Sequence, residues 1–293
     1  YEALTEEQKA LVTNAEVLTA AEKRLEEVKD ENTKNPVNVH VTIAVSGKVV
    51  MAQQTVTVTD VNNNGIFDVD DAVYAAHEAG YEGGAEAGYA SENTAWGLSI
   101  AKLWGDTSYA YGYWLNNASC WSLEDVVKNN DHLVAFVYQD GTAWSDAYSK
   151  FEMFGYSVKE DTELKVTLEK AGYDADWNTV FSVYAGAELA VYDSTLNKLT
   201  SGYSVKDNAD GTYTVQFDAA GKYYLVASDT ETILVPAVSM ITVEQNVQET
   251  PIEPEFPDVE TGDEGIGIVW ISLILVSMVV VCVNLTLKKR NRI

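Results

Sequence analysis

The sequence predicts a multidomain protein with a helical hairpin, an α+β domain, an all-β sandwich and a single C-terminal transmembrane helix. Three observations support this prediction. The length of 293 residues is enough for two or three domains with their own cores. Hydrophobic residues change from helical spacing to strict alternation after Pro36, and an uncharged run near the C-terminus precedes a basic end. We divide the chain into residues 1–34, 36–157, 158–245, 246–264 and 265–293.

The first segment, residues 1–34, contains two helix-start signals, Thr5 with Gln8 and Thr19 with Glu22. Each pair predicts a capping box, in which a hydroxyl and a side chain three residues later bond the free backbone N–H groups reciprocally. The segment resembles a helical spacer element of Gram-positive surface proteins. Because the chain begins inside this pattern without Met, we expect further residues to precede it. A thin apolar stripe is too small to fold alone and comprises Leu11, Val12, Leu18, Leu25 and Val28.

The second segment, residues 36–157, begins with two strands. Apolar and polar residues alternate from Val37 to Val45, which is the pattern of a strand with one buried face. A turn at Ser46-Gly47-Lys48 leads into a second strand that ends at 55–59. A loop, a helix and an aromatic stretch follow, and a last strand is predicted over 133–138. This order predicts an α+β domain.

The third segment, residues 158–245, has strand signals and no helix signal. Alternation over 164–168 and 213–217 predicts strands, and turns are predicted at 208–211 and 220–221. Four to seven short strands without a helix predict an immunoglobulin-like sandwich.

The C-terminal region predicts an anchor. Residues 246–264 hold three Pro and seven acidic residues, which is typical of an extended, self-repelling tether. The uncharged run 266–287 would span roughly 33 Å as a helix, enough for a bilayer core of about 30 Å. The basic residues that follow predict a cytoplasmic C-terminus and an extracellular N-terminal region. They are Lys288, Lys289, Arg290 and Arg292.

Residues before the span also resemble a sortase sorting signal, through Thr261 and Gly262. Asp258 and Val259 stand where a standard signal has Leu and Pro. Sortase processing to the cell wall and simple single-pass anchoring in the membrane therefore both stay open.

Composition limits the partners and the compartment. The net charge of −26 argues against nucleic acid or anionic lipid headgroups as partners, because both would be repelled. Cys282 lies in the predicted span and Cys120 is the only other cysteine, so no intrachain disulfide is expected. A secreted animal protein of this size would use disulfides, and a bacterial exterior fits better.

Residues 60–71 predict a calcium loop. Oxygen ligands follow the EF-hand order, with Gly65 at the sharp turn. An Asp at the last position and a strand before the loop resemble the calcium loops of dockerins. The alternative is an Asn- and Asp-rich turn without metal. We expect one Ca²⁺ that stiffens a strand–helix corner, and a surface turn without metal at Asp174–Asn178, which lacks this spacing. The predicted ligands are Asp60, Asn62, Asn64, the Ile66 carbonyl, Asp68 and Asp71.

Aromatic residues are dense between 81 and 144, where they either form a core or line a binding face. We select Trp104, Tyr111, Tyr113 and Trp114 as the candidate ligand-binding residues because glycines flank them. Strand alternation places Tyr111 and Tyr113 on one face and Trp114 on the other, so at least one of them belongs to the core.

Two pieces of this region, residues 112–117 and Asn130-Asp131, resemble a bacterial domain of unknown function. That family is related to the C-terminal β-domain of transcobalamin and to ligand-binding β-grasp folds. The resemblance covers residues 37–140 and implies a β-grasp-like domain that binds a small, corrinoid-like ligand. Asn117 and Asn130 replace Gly of the family pattern, and Asn tolerates the same left-handed turn.

Nothing in the sequence selects a catalytic set, so we expect no enzyme activity. His40, His77 and His132 are the only histidines, and none belongs to a recognisable motif with a nucleophile. Phosphate-binding loops, zinc spacings and nucleophile elbows are also missing.

The sequence therefore predicts a membrane- or wall-anchored bacterial surface protein, stabilised by calcium, that binds an extracellular ligand. The ligand is either a corrinoid-like small molecule or a glycan on a surface polymer. Two alternatives stay open: a structural stalk or adhesin scaffold, and the anchor region of a surface hydrolase whose catalytic domain precedes this chain.

Overall fold

In the described chain, β-strands contain more residues than helices, as the sequence predicts. The structure, a computed structural model, describes residues 3–9, 12, 14–229 and 231–246. The predicted tether from residue 247 onward, the predicted span 266–287 and the basic end lie outside the described residues. No helix within the described ranges is long and apolar enough to cross a membrane.

The four helices of the described part are α1 (Glu6–Lys9), α2 (Ala15–Asn32), α3 (Val69–Gly80) and α4 (Gly84–Gly88). The first predicted capping box is confirmed: the Thr5 N–H donates to Gln8 Oε1 at 2.9 Å, and the Gln8 N–H donates to Thr5 Oγ1 at 3.3 Å. The second is wrong. Thr19 lies one turn inside α2 and its hydroxyl donates to the Ala15 carbonyl at 3.2 Å, because the helix begins earlier than its Thr-based signal.

The first module has a mixed sheet in the order β2-β1-β7-β5-β6 and a separate β3–β4 hairpin. The central strands β1 and β7 run parallel, and their neighbours β2 and β5 run antiparallel to them. Helix α3 packs on one face of this sheet, over Val39, Val41 and Ile43. The strands are β1 (Val37–Val45), β2 (Lys48–Val58), β3 (Ala90–Thr94), β4 (Gly97–Lys102), β5 (Tyr111–Leu115), β6 (Ala118–Ser119) and β7 (His132–Val137).

The second module is a sandwich of two sheets. One sheet has the order β13-β14-β10-β8-β16 with β11 paired to β10, and the other has the order β12-β15-β17-β9. Tyr213, Val215 and Phe217 alternate into the core between the sheets, as predicted. The strands are β8 (Ala147–Phe151), β9 (Gly155–Lys159), β10 (Leu164–Tyr173), β11 (Thr179–Val183), β12 (Glu188–Asp193), β13 (Tyr203–Asp207), β14 (Thr212–Phe217), β15 (Gly221–Ser228), β16 (Leu234–Val235) and β17 (Ala237–Glu244).

The structure corrects the division of the chain at residue 157. Strands β8 and β9 precede that point in sequence but pair with β10, β16 and β17 of the second module. Each of these strands is short, and only its partners in the sandwich satisfy its backbone N–H and C=O groups. The second module therefore begins at β8 and has ten strands instead of the four to seven predicted.

The two modules share a small hydrophobic core of their own. The face of the first sheet opposite α3 contributes Ala44, Trp114 and Phe136, and the sandwich contributes Tyr148 and Val235. Strands β1 and β7 are therefore buried on both faces. This second burial surface explains why Trp114, on the face opposite Tyr111 and Tyr113, belongs to an interior.

A bulge in β2 adds polar contacts between the modules. The register of β1 and β2 shifts around Gln53, which has a φ of +41° and is almost fully buried. Its Nε2 donates to the carbonyls of Phe154 at 2.8 Å and Val238 at 3.0 Å. A bulge redirects a side chain out of the regular pleat, and here it directs an amide into the second module.

Candidate functional site

The predicted calcium loop is held by hydrogen bonds from its own backbone. Asp60 Oδ1 accepts from the Asn64 N–H at 3.0 Å, and Asp60 Oδ2 accepts from the Gly65 N–H at 2.9 Å. Asn64 Oδ1 accepts from the Ile66 N–H at 2.9 Å. Gly65 has a φ of +87°, a backbone conformation that residues with a side chain rarely adopt. The side chains at positions 1 and 5 therefore face the inside of the loop.

The end of the loop is joined to helix α3. Asp68 is the N-cap: its Oδ1 accepts from the Asp71 N–H at 3.0 Å, and Asp71 Oδ2 accepts from the Asp68 N–H at 3.3 Å. Asp71 Oδ1 accepts from the Val61 N–H at 2.9 Å. This hydrogen bond joins the last residue of the loop to its second residue. The helix predicted at this position is confirmed, and the strand–loop–helix corner depends on Asp71.

Negative charge is concentrated and buried at this corner. Asp68 and Asp71 have no exposed surface, and Asp70 has only 5%. Burial raises the pKa of Asp71 to about 7 and also raises the pKa of Asp68. Asp70 Oδ1 accepts a hydrogen bond of 2.5 Å from the Tyr89 hydroxyl. A bound cation would favour the ionised carboxylates at this corner.

The donor set fits a hard cation such as Ca²⁺. It combines carboxylates at the first and last positions with amide oxygens and one backbone carbonyl, which is the EF-hand arrangement. Within the described ranges, no three His, Cys, Asp or Glu side chains gather around one point. Lys29 of α2 also reaches the loop, where its Nζ donates to the Asn63 carbonyl at 3.0 Å.

Three of the four predicted ligand-binding aromatics are packed against the core of the first module. Trp104 lies edge-on to Tyr81, with ring centroids 5.3 Å apart. The backbone N–H of Trp104 donates to His77 Nε2 at 2.9 Å. The Tyr111 hydroxyl donates to the Asp106 carbonyl at 2.7 Å. Burial raises the pKa of Tyr113 to about 12. These side chains are half-buried, and they do not form an open face together.

For the fourth predicted residue, Trp114, the structure corrects the sequence interpretation. It is 6% exposed, and its ring is stacked on Tyr148 of the second module. The strand alternation was predicted correctly, because Trp114 does point away from Tyr111 and Tyr113. The face on which it lies is covered by the sandwich, so Trp114 cannot meet a ligand from solvent.

An open aromatic site exists elsewhere, in a cleft of about 530 Å³ between the two modules, which we name the inter-module cleft. Trp121 of the first module is 94% exposed, and Trp177 of the second is 82% exposed. The cleft is lined by Asn117, Ala118, Ser119, Cys120, Trp121, Tyr173, Trp177, Asn178, Thr179 and Phe181.

Both cleft tryptophans are carried on turns with internal hydrogen bonds. The Trp121 N–H donates to Asp125 Oδ2 at 2.8 Å. Trp177 lies in the turn between β10 and β11 with a φ of +63°, and Asp174 Oδ1 accepts from the Asp176 and Asn178 N–H groups. The surface turn predicted at 174–178 is confirmed. A Trp inside such a polar turn has no core residue to pack against. This pattern is the signal by which the sequence could have identified Trp177 as exposed.

The chemistry of the inter-module cleft suits binding. Its polar groups include the uncharged side chains of Asn117, Ser119, Asn178 and Thr179. Burial raises the pKa of the Cys120 thiol to about 12, so at neutral pH the sulfur is protonated and a poor nucleophile. Aromatic rings with amides and hydroxyls can bind a ligand that has both apolar faces and hydrogen-bonding groups.

The histidines have structural surroundings. His77 is fully buried, with Nδ1 2.7 Å from the Val73 carbonyl and Nε2 accepting from Trp104, which assigns the proton to Nδ1. His132 is stacked between His40, with centroids 4.6 Å apart, and Phe154, at 3.8 Å. Burial lowers the pKa of His77 and of His132 to about 4, so both are neutral at pH 7.

No family model matches this chain, and no curated protein matches it. Among solved structures, the chain has 8% identity to neural ectodermal development factor IMP-L2, with a TM-score of 0.22 over 42% of this chain and 60% of that one. It therefore spans less than two thirds of that protein. It has 13% identity to the tandem Ig repeats of Dlar, with a TM-score of 0.23 over 54% of this chain and 75% of that one.

A third similar structure contains the N-terminal four Ig domains of Dscam1 isoform 9.44. The identity is 8% and the TM-score 0.19, over 53% of this chain and 32% of that one. Two of these three proteins are thus described by their immunoglobulin domains. TM-scores this low do not establish a shared fold.

Proposed function

We propose that this chain is the ligand-binding and anchoring part of a bacterial cell-surface protein. The observation that carries the proposal is the inter-module cleft, where Trp121 and Trp177 from different modules expose nearly their whole side chains. Trp residues are enriched among those that dominate binding energy. The ligand is an extracellular small molecule of corrinoid-like size or a glycan.

The architecture of the proposal combines three parts. The first module, with its hairpin, crossover helix and parallel central pair of strands, supports a β-grasp-like fold related to the transcobalamin domain. The second module supports an immunoglobulin-like sandwich. Residues 266–287 would anchor the protein in the membrane, with sortase processing at Thr261 as the alternative attachment. The charge of −26 argues against nucleic acid as a partner.

Calcium has a structural part in this proposal. One Ca²⁺ bound by residues 60–71 would neutralise the buried carboxylates of Asp68 and Asp71 and stiffen the corner between β2 and α3. Residues 1–293 contain no second loop of this pattern, which argues against the cooperative pair of a calcium sensor.

A structural scaffold is the second candidate function, and the interface between the modules favours it. The shared core around Trp114 and Tyr148 and the two hydrogen bonds of Gln53 join the modules directly. A pair of modules packed in this way suits a stalk that displays other domains. Both functions are compatible with the same fold, and a measurement of ligand binding distinguishes between them.

Titration calorimetry on the full chain in mild detergent tests the proposed function. The probes are cobalamin and neutral oligosaccharides. We expect one probe class to bind, and Trp121→Ala and Trp177→Ala each to weaken it at least about tenfold, or about 1.4 kcal/mol. Trp144→Ala is the matched control, since Trp144 is 61% exposed with a φ of +54° but does not line the cleft. Binding that survives both cleft substitutions, or no binding of any probe, would reject the cleft and favour the scaffold.

A further inference from the structure

A third exposed tryptophan extends the aromatic surface beyond the inter-module cleft. Trp96 is 93% exposed at the tip of the β3–β4 hairpin. Its N–H donates to Thr94 Oγ1 at 3.1 Å, and the Thr94 hydroxyl donates to the Gly97 carbonyl at 2.9 Å. The tip is therefore held in one conformation by its own turn.

This hairpin tip lies beside the segment that carries Trp121. A Cβ added to Gly97 would stand 3.8 Å from Ser122 Oγ, and the Leu123 N–H donates to the Leu98 carbonyl at 3.4 Å. Gly97 and Ser122 are therefore neighbours in space. Trp96 directly precedes Gly97 in the chain, and Trp121 directly precedes Ser122. Trp121 and Trp177 line the same cleft, and Trp96 precedes Gly97, the neighbour of Ser122. We name these three exposed side chains the tryptophan row.

The openness of the row indicates the size of the ligand. Small-molecule sites bury about 70–90% of their ligand in a concave pocket. The tryptophan row is instead exposed along its length, with side chains that are 82–94% accessible. A ligand on such a surface contacts protein on one side only, so it needs several successive contacts to gain affinity. A polymer with repeated units supplies them.

The charge around the row indicates the kind of polymer. Asn117, Ser119, Asn178 and Thr179 offer uncharged donors and acceptors, and no cationic side chain lines the cleft. The chain as a whole carries a charge of −26. Acidic polymers, including nucleic acids and sulfated glycans, would be repelled by this field. A neutral polymer with many hydroxyl groups would not.

The chemistry of a sugar ring meets both requirements. One face of a pyranose is a surface of C–H groups that can lie on an indole ring, while its hydroxyl groups bond amides and hydroxyls at the edge. The three indoles are on turns with fixed backbones, so less conformational entropy is lost when a ligand binds.

Building on the proposed function of the cleft, we infer that the ligand is a neutral linear polysaccharide, bound in an extended form along Trp96, Trp121 and Trp177. Trp121 and Trp177 would hold adjacent sugar units in the cleft, and Trp96 would hold a unit further along the same chain. Affinity should then rise with the length of the oligosaccharide.

Calorimetry on the full chain in mild detergent tests this inference with neutral β-1,4-linked glucose, xylose, mannose and N-acetylglucosamine oligomers of two and six units. One hexamer should bind about tenfold more tightly than its dimer. Trp96→Ala should remove this length dependence and leave dimer binding unchanged. Trp121→Ala and Trp177→Ala should weaken both lengths, and Trp144→Ala neither. Thermal melts of each variant, expected to match the parent because these side chains are exposed, exclude misfolding as the cause.

Several results would overturn the inference. These are equal affinity for dimer and hexamer, equal losses in Trp96→Ala and Trp144→Ala, tighter binding of a sulfated polymer, or no binding of any hexamer. If cobalamin binds and depends on Trp121 while every hexamer fails, the inference is wrong and the proposed binding function stands. If neither cobalamin nor any oligosaccharide binds, both are wrong.

Discussion

Trp114 and Tyr148 stack face to face, with ring centroids 4.0 Å apart and an angle of 0° between their planes. They come from different modules, β5 and β8, and both are buried. The Tyr148 hydroxyl donates to Asn117 Oδ1 at 2.9 Å, beside the inter-module cleft. The stacked pair therefore joins the modules and supports one wall of the candidate site.

Truncation of this pair should destabilise the protein strongly. Trp114→Ala removes a buried ring, and we expect the free energy of unfolding to fall by about 3–5 kcal/mol in urea titrations. Trp96→Ala is the control, because its exposed side chain should change stability by no more than about 0.5 kcal/mol. Equal effects of the two substitutions would show that the modules do not depend on the stacked pair.

Removal of the Gln53 amide should also weaken the contact between the modules. Gln53→Ala leaves the buried carbonyls of Phe154 and Val238 without this donor, and we expect a loss of about 1–3 kcal/mol. The neighbouring Gln54 is exposed and bonds only the adjacent Thr55 carbonyl. Gln54→Ala should therefore be neutral. A Gln53→Ala protein as stable as Gln54→Ala would contradict the assigned role.

Calcium should raise the thermal stability of the chain. Binding to the native state alone adds about 2.7 kcal/mol when the free ion exceeds its Kd a hundredfold. Melts with calcium and with a chelator should differ, and Asp60→Ala should remove the difference. Asp174→Ala, in an exposed turn that accepts similar backbone hydrogen bonds, should keep the full response. Identical melts of the parent with and without calcium would reject the site.

His132 should contribute a loss of stability in mild acid, where Asp68 and Asp71, with raised pKa values, act in the opposite direction. Burial, together with the charge of His40, lowers its pKa from 6.5 to about 4, while Asp131 acts in the opposite direction. Between these values the unfolded state binds a proton that the folded state does not. This contribution is complete above pH 6.5 and is lost as the pH falls toward 4. Buried His77, with the same lowered pKa, adds a loss of the same sign.

The variant His132→Phe separates the two histidines. Phe keeps a ring between His40 and Phe154 but cannot be protonated, so the variant should lose less stability than the parent between pH 7 and pH 4.5. Urea titrations at the two pH values measure the difference. The same loss in both proteins would mean that His132 does not contribute to the acid sensitivity.

The predicted anchor can be tested on intact cells. We expect external protease to remove residues before 266 and to leave a short protected C-terminal piece, since 266–287 has spanning length and a basic end follows. If a sortase cleaves after Thr261, the ectodomain will instead be released with cell-wall fragments. The full chain recovered in the cytosol would exclude both forms of attachment.

The sequence alone determined the local features of this protein. Alternation predicted β1, β10 and β14, because a strand turns successive side chains to opposite faces. The spacing in 60–71 predicted a calcium loop; in the structure its backbone N–H groups donate to Asp60, Asn64 and Asp71, and the metal stays a prediction. Asn117 and Asn130 do adopt the left-handed turns expected of them, with φ of +65° and +67°. Each of these features depends on residues close together in the chain.

Only the tertiary structure decided which aromatic residues face solvent. Alternation shows which side of a strand a side chain leaves, but exposure depends on whether another part of the chain covers that side. The sandwich covers the face that holds Trp114 and leaves Trp121 open, although the two residues are seven positions apart. The tertiary structure also decided that β8 and β9 belong to the second module, because their partner strands are distant in sequence. The inter-module cleft exists only where the two modules meet.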